Sequence, residues 1–407
     1  MALAAVVCLS ACLEREGNVD YGAIFVEDRV VEWEITIEAD SWNKLLLKPE
    51  EYVPAQVTVD GTDYSIGLRL MGDVGRAKKT MRIRFDFVDP EQELHGVKRV
   101  NLRAGAGDPS LLREAMALTL FDGSAVPAPR HSFVWVGGFG GGAGGLYTLV
   151  EQVDRKFLED RFGEDSGHLF KVETGGDLLY VDDSPASYDT AIYELKAGEP
   201  DPGYQHLVDF IRLLNKTPQA ELERALEAAL DLDGFLRALC VNTWLSNLDA
   251  YPGAGGNIYL YRESGGRFHY IPWDLNQAFG NFHGPPCDYT TDQLLNLEPE
   301  KPTCGAVRPL VDRLLAVPAI RERYRRAAQT LLAGPLEPSA VIAAMRAARD
   351  LIKDRARQDT LKESSNADFD AALTTDLPDA SDPKRVPGLE AFVHKRAAAF
   401  QGMSAKQ

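Results

Sequence analysis

Between Asn247 and Gly280 the chain carries two carboxylates and several carboxamides at spacings suited to phosphoryl transfer. Asn247-Leu248-Asp249-Ala250-Tyr251 leads through a Gly/Pro-rich loop into Asn257-Ile258-Tyr259-Leu260-Tyr261. After a turn at Gly265-Gly266 comes Phe268-His269-Tyr270-Ile271-Pro272-Trp273-Asp274-Leu275-Asn276. A hairpin folded at the two glycines sets the start of one strand beside the end of the next, which makes Asn257 and Asp274 neighbours. In phosphoryl transfer one acid orients the attacking hydroxyl, while an Asn and a second acid hold the metal that screens the phosphates. Asp249 fits the first role; Asn257 and Asp274 fit the second. The plainer readings are a solvated turn for Asp249 and a structural salt bridge for Asp274. Trp273 and Leu275 make a free carboxylate at 274 costly without a cation, and Asn is an unfavourable opening for a strand.

The surrounding pattern says what would position these residues. Val30 to Ile37 alternates as a strand, and a short helix runs from Asp40 to Leu47. Tyr52–Val59 and Tyr64–Leu70 form a hairpin around Asp60-Gly61. Thr80–Phe87, Val97–Leu102, Ser132–Val136 and Leu146–Val150 read as further strands. Pro109–Phe121 reads as a helix with Ser110 as its N-cap. The glycine-rich connection from Gly137 to Gly145 lacks the Lys-Ser/Thr of a P-loop and is followed by a strand, so it reads as a hairpin tip. Beyond residue 153 helices dominate: Asp154–Phe162, Tyr204–Asn215, Gln219–Leu230, Leu232–Asn247, Val307–Ala316, Ile320–Leu332, Ser339–Lys353 and a terminal helix to Phe400. One strand, Leu169–Val172, precedes an acidic loop. A strand-rich first part meeting a mostly helical second part is an α+β plan with two lobes.

The 407 residues allow a sizeable core. A formal charge of -17 leaves no basic surplus to neutralise nucleic-acid phosphates, so no nucleic-acid partner is expected. Ala2 to Leu9 is apolar and runs into Leu9-Ser10-Ala11-Cys12 and then Glu14-Arg15-Glu16, the pattern of a bacterial lipobox, although no Lys or Arg precedes the apolar run. The expectation is a signal segment over residues 1–12, lipidation at Cys12, a tether over 13–29 and membrane attachment only through the lipid. The alternative is a short core helix. Cys240 sits in an apolar helical run and should pack as a small hydrophobe. Cys287 and Cys304 flank a polar loop and are natural disulfide partners in an oxidising compartment; two unpaired thiols are the alternative.

Four blocks together resemble the CotH kinase family, spore-coat-protein-H-like kinases with an atypical protein-kinase fold. They are Gly67-Leu68-Arg69-Leu70-Met71-Gly72 with Lys78-Lys79-Thr80-Met81-Arg82-Ile83-Arg84-Phe85; Leu112-Arg113-Glu114-Ala115 with Val126-Pro127-Ala128-Pro129-Arg130; Gly145 to Asp154, running to Phe157-Leu158; and the stretch ending in Ile271-Pro272-Trp273-Asp274-Leu275. Two positions depart from the family pattern: Gly72-Asp73-Val74-Gly75 replaces a Gly-Asn-Ser-Ser-like turn, and Asn276 stands where an Asp is usual.

The resemblance implies a two-lobed fold, with an N-lobe over residues 30–152 that binds nucleotide and a C-lobe over 153–407 that carries catalysis and metal. It implies ATP and Mg2+ (or Mn2+) as cofactors, with Asn276 offering the metal an oxygen but no charge. One of Lys78 and Lys79 would face the phosphates, because adjacent strand residues point opposite ways. The resemblance favours Lys78, paired to the helix residue Glu114 as kinase lysines pair with a helix Glu. Glu151 falls where the family would place its nucleotide-binding hinge. The expected activity is ATP- and metal-dependent phosphoryl transfer to a hydroxyl of an envelope protein, outside the cytoplasm. Its rivals are an inactive kinase-fold scaffold of the envelope and a phosphotransferase acting on a sugar or lipid head group.

Overall fold

Asp60 and Gly61 take left-handed backbone angles, φ 48° and 78°, and close the two-residue hairpin between β2 (Val53–Val59) and β3 (Thr62–Met71). Such mirror-image turns match the natural twist of a strand pair. In the computed structural model, which describes residues 19–138, 144–378 and 382–404, that hairpin belongs to a closed barrel. Its members are β1 (Val31–Thr36), β2, β3, β4 (Thr80–Arg84), β5 (Arg99–Arg103), β6 (His131–Gly137) and β7 (Gly145–Glu151). Around the barrel the order is β1-β2-β3-β4-β5-β7-β6, and the parallel pair β1–β6 closes it. Alternate residues point inward: Ile35, Val57, Leu68, Ile83, Leu102 and Leu149 are all fully buried.

From β7 the chain crosses at Gln152–Val153 into the mostly helical second part. A four-stranded sheet lies there in the order β11-β10-β8-β9, with β8 (His168–Val172), β9 (Tyr193–Ala197), β10 (Ile258–Arg262) and β11 (Phe268–Pro272). Helix Leu232–Trp244 packs on β11, helix Pro338–Gln358 packs on β7 of the barrel, and helices Pro309–Ala316, Pro318–Leu332 and Leu389–Ser404 pack against other helices of this part. The mixed α+β plan, strand-rich first and helical second, is as expected. Among the described residues no helix is long and apolar enough to cross a membrane.

Three local expectations are corrected. The strand expected over Thr80–Phe87 stops at Arg84, and Phe85–Phe87 forms a single 3-10 turn. Phe87 then covers Gly67, where any Cβ would collide with its ring. The helix expected from Pro109 starts at Arg113, without Ser110 as its cap. Asp108 supplies the oxygens instead, accepting from the Arg113 amide at 2.8 Å and from the Ser110 hydroxyl at 2.6 Å. The acidic loop after β8 contains β9, whose polar residues obscure it in sequence.

Tyr21–Ile24 is a short helix, Ile24 and Phe25 are buried against the barrel, and Val19, Tyr21 and Val26 pack beside them, so residues 19–26 of the expected tether are folded onto it. The expected lipobox cysteine, Cys12, lies outside the described residues, as do residues 139–143 of the glycine-rich connection.

Candidate functional site

The helix Leu232–Trp244 delivers the chain into the loop that carries Asp249, and buried cations fix that loop. The Arg396 guanidinium, fully buried, donates to the carbonyls of Thr243, Trp244, Leu295 and Leu297. The Arg308 guanidinium donates to Tyr251 O at 2.9 Å and to Gly253 O. A Cβ at Gly253 would strike the Leu248 carbonyl, so the loop closes on itself only with glycine there. The Asp249 carboxyl has no hydrogen-bond or ion-pair partner among the described residues, and burial pushes its pKa up to about 6 against the pull of Arg103. A carboxylate held near neutrality is suited to taking a proton from a hydroxyl.

The β10–β11 hairpin pairs Ile258 with Pro272 and Arg262 with Phe268. Asn257 immediately precedes β10, and its carbonyl accepts from the Trp273 amide at 3.2 Å. Asn257 and Asp274 therefore flank the open end of the hairpin, as the sequence implies. Both take left-handed angles, φ 53° and 55°, a conformation Asn and Asp tolerate better than most residues. The Asn257 amide donates to the backbone carbonyl of Asp249 at 3.0 Å, which ties the three positions together. Asn276 turns its amide to Ala106 O at 3.2 Å, and Asn281 turns its amide to Gly107 O at 3.0 Å, so the segment after β11 is stitched to the loop after β5.

The expected lysine–glutamate pair is not formed. Lys78 is sealed from solvent: its ammonium donates to Asp359 at 2.7 Å and to the Leu146 carbonyl, and lies 4.8 Å from the centre of the Tyr147 ring. Lys79 folds back onto its own loop and donates to the carbonyls of Val74, at 2.7 Å, and Arg76. Glu114 pairs instead with Arg103, whose Nε lies 3.0 and 3.1 Å from its two oxygens. The Arg103 Nη2 in turn donates to Asp274 Oδ1. The reason lies in sheet order. β5 is the neighbour of β7, and its last residue, Arg103, points at the helix bearing Glu114, whereas Lys78 sits in the turn before β4. Nothing in Val100-Asn101-Leu102-Arg103 itself marks Arg103, because its partners follow from strand order.

Glu151 is buried in an ion cluster. It accepts from Arg130 N at 2.9 Å and from the Arg130 and Arg161 guanidiniums at 3.0 and 3.4 Å. Both of its oxygens are thus taken by protein. A cavity of about 460 Å3 adjoins it, lined by Arg99, Gln152, Asp154, Lys156 and Lys196, among others. Asp249, Asn257, Asp274 and Arg103 do not line it.

Asp274 Oδ2, Asn257 Oδ1 and Asn276 Oδ1 have no protein partner among the described residues, and all are hard oxygen donors of the kind Mg2+ takes. No three His, Cys, Asp or Glu side chains converge among the described residues. That is no obstacle, because Mg2+ sites commonly use one or two carboxylates and complete the shell with substrate phosphates and water. The residues present therefore fit a divalent cation.

Cys287 and Cys304 are disulfide-bonded, with Cα atoms 5.4 Å apart, and Cys240 is free and buried. Cys287 and partly buried Cys304 pack with Leu248, Leu294 and Leu297 in a small apolar cluster beside the Asp249 loop.

The family model described as "CotH kinase protein" matches residues 68–399. The chain belongs to the CotH kinase family. The match takes in all but the first part of the barrel and every candidate site residue described above. A CotH-family relative, the inner spore coat protein H of Bacillus subtilis (strain 168), is 26% identical over 321 residues, covering 77% of this chain and 81% of that protein.

Proposed function

We propose that this CotH-family chain is a two-lobed, protein-kinase-like phosphotransferase that uses ATP and a divalent metal, Mg2+ or Mn2+, to phosphorylate a protein hydroxyl. The observation that carries the reading is Arg103, which joins Glu114 of one part to Asp274 of the other beside a partner-free Asp249. Asp274, with Asn257 and Asn276, would hold the metal, which when bound neutralises phosphate charge. Asp249 orients the acceptor hydroxyl and accepts its proton. Arg103, clamped in place by Glu114, offers a fixed cation to the transferring phosphoryl group, as positioned charges do in such sites. Catalysis is then mostly positioning and charge neutralisation.

The kinship to a spore coat protein supports a location outside the cytoplasm. Leu9-Ser10-Ala11-Cys12 would anchor the chain to a membrane by lipid, and its substrate would be an envelope protein. A second reading, a non-catalytic coat or envelope scaffold, draws on the withdrawal of both lysines and on Asn276 in place of an acid.

The test is radiolabelled ATP with purified protein, Mg2+ or Mn2+ and generic protein acceptors. Label transfer lost in Asp249→Asn supports the first reading. A folded wild-type protein with no transfer and no metal-dependent nucleotide binding supports the second. Intact mass of native protein carrying lipid on Cys12 tests the anchor.

A further inference from the structure

Resting on that phosphotransferase reading, one acid from near the end of the chain is tied to the metal side of the site by a single peptide group. Metal ligands take their orientation from the groups that hold their other ends, and loss of such a holder weakens metal binding about 10–100-fold. Asn276 is held in this way. Its amide donates to Ala106 O at 3.2 Å, while Asn281 donates to the next carbonyl, Gly107 O, at 3.0 Å.

The loop 104–107 that offers those carbonyls continues directly from Arg103 at the end of β5. Its start is pinned where the Ala104 amide donates to Thr80 Oγ1 at 3.2 Å. Gly105 and Gly107 take φ 69° and 70°, left-handed angles that favour glycine, and a Cβ at Gly105 would lie 2.8 Å from the Leu111 side chain. The other end is pinned by the second part of the chain, for the Gly107 amide donates to Glu363 Oε2 at 2.9 Å. The Ala106 carbonyl and the Gly107 amide belong to one peptide group, planar and trans, so their two hydrogen bonds leave it in opposite directions. Fixing the amide on Glu363 therefore fixes the carbonyl that Asn276 uses. A carboxylate on the N–H also polarises that carbonyl into a stronger acceptor.

Glu363 is a fixed point although its side chain is 40% exposed. Before it, the Asp359 carboxylate accepts from the Leu361 and Lys362 amides at 2.9 and 3.1 Å. After it, Ser365 caps the helix Asn366–Ala371 in a reciprocal capping box with Asp368. Its Oε1 accepts from Arg76, which also pairs with Asp73 at 3.3 Å. Ion pairs this exposed contribute little by themselves, so the bond to Gly107 is the one that bears on the site.

We infer that Glu363 is a positioning residue for the metal: through the Ala106–Gly107 peptide it sets the orientation of the Asn276 carboxamide beside Asp274.

The test titrates the whole protein with Mn2+, without nucleotide and with ATP, reading bound ion from the loss of the free-ion paramagnetic resonance signal. Melting temperature and amide exchange at residues 104–107 are read on the metal-free protein. Glu363→Ala should weaken Mn2+ binding about tenfold, the lower end for losing a ligand's holder, and speed exchange at Gly107. Glu363→Gln should stay within about threefold of wild type, because its side-chain oxygen still accepts from the Gly107 amide. Arg76→Gln should also stay within about threefold. A Glu363→Ala protein that melts earlier yet keeps its Mn2+ affinity has lost only a structural contact, which overturns the inference. Equal weakening in Glu363→Ala and Glu363→Gln overturns it too, and both results leave the phosphotransferase reading standing. Wild-type protein that binds no Mn2+ in either condition overturns that reading and the inference with it.

Discussion

Lys78 and Asp359 stand 281 residues apart in sequence and 2.7 Å apart in space, with side chains 2% and 0% exposed. Asp359 Oδ2 also accepts from the Leu146 amide at 3.1 Å, and its Oδ1 accepts from the Leu361 and Lys362 amides at 2.9 and 3.1 Å. Burial lowers the Lys78 pKa while Asp359 opposes that shift. The pair joins the turn before β4 to the end of the longest helix, Pro338–Gln358.

Removing one member leaves the other charged and buried, so Lys78→Met should cost about 3–5 kcal/mol of stability. The double variant Lys78→Met, Asp359→Leu should regain much of that loss, because an apolar pair can replace a buried ion pair. Urea unfolding of the wild type and the two variants measures both effects. A stable Lys78→Met protein that had lost only nucleotide binding would return the lysine to the phosphates.

Arg103, also in a buried pair, should show its loss in the chemistry as well as in stability. Arg103→Met should lower transfer by about 10²–10³, the scale for losing one preorganised stabilising donor. Arg103→Lys should recover only part of the rate, since a single ammonium cannot span Glu114 and Asp274 as the planar fork does. Single-turnover rates with saturating nucleotide separate this from weaker binding.

Asp249 and Asp274 should part company under the same conservative change. Asp249→Asn should keep metal-dependent nucleotide stabilisation while transfer falls by about 10²-fold or more, as for the loss of a general base. Asp274→Asn should lose both. Thermal shifts with and without Mg2+, alongside transfer assays, read the contrast; equal loss of nucleotide binding in the two folded variants would reverse the assigned roles.

His131 sets an acid limit on stability. Burial pulls its pKa down to about 4, whereas an unfolded histidine titrates near 6.5. As pH falls through that window the unfolded chain gains a proton first, so stability present above about 6.5 declines toward about 4. The loss between pH 7 and pH 5 is at most about 2 kcal/mol, and His131→Gln should flatten it in urea titrations at the two pH values.

Reducing Cys287–Cys304 should cost about 3 kcal/mol in the chain-entropy account of a loop this long. Melting with and without reductant, against Cys287→Ser as reference, measures it.

What the sequence revealed and what it hid divide along range of interaction. The β10–β11 hairpin and the meeting of Asn257 with Asp274 were legible because a glycine turn and two alternating strands fix register locally. The barrel's closure was not, since the parallel pairing of β1 with β6 joins segments that share no local signal. Arg103 was hidden for the same reason: its partners Glu114 and Asp274 follow from which strand neighbours which, not from the residues beside it. The partner of Lys78 was hidden because alternation offers a strand residue only inside and outside, whereas this lysine is in a turn and reaches a carboxylate 281 residues downstream.

Synthesis proceeds from the amino terminus, so the barrel's last strand, β7, leaves the ribosome long before Asp359 does. Until residue 359 emerges, Lys78 has no counter-ion and the Leu146 amide lacks its side-chain acceptor. That corner of the barrel therefore gains its anion only after the chain has grown 213 residues beyond Leu146.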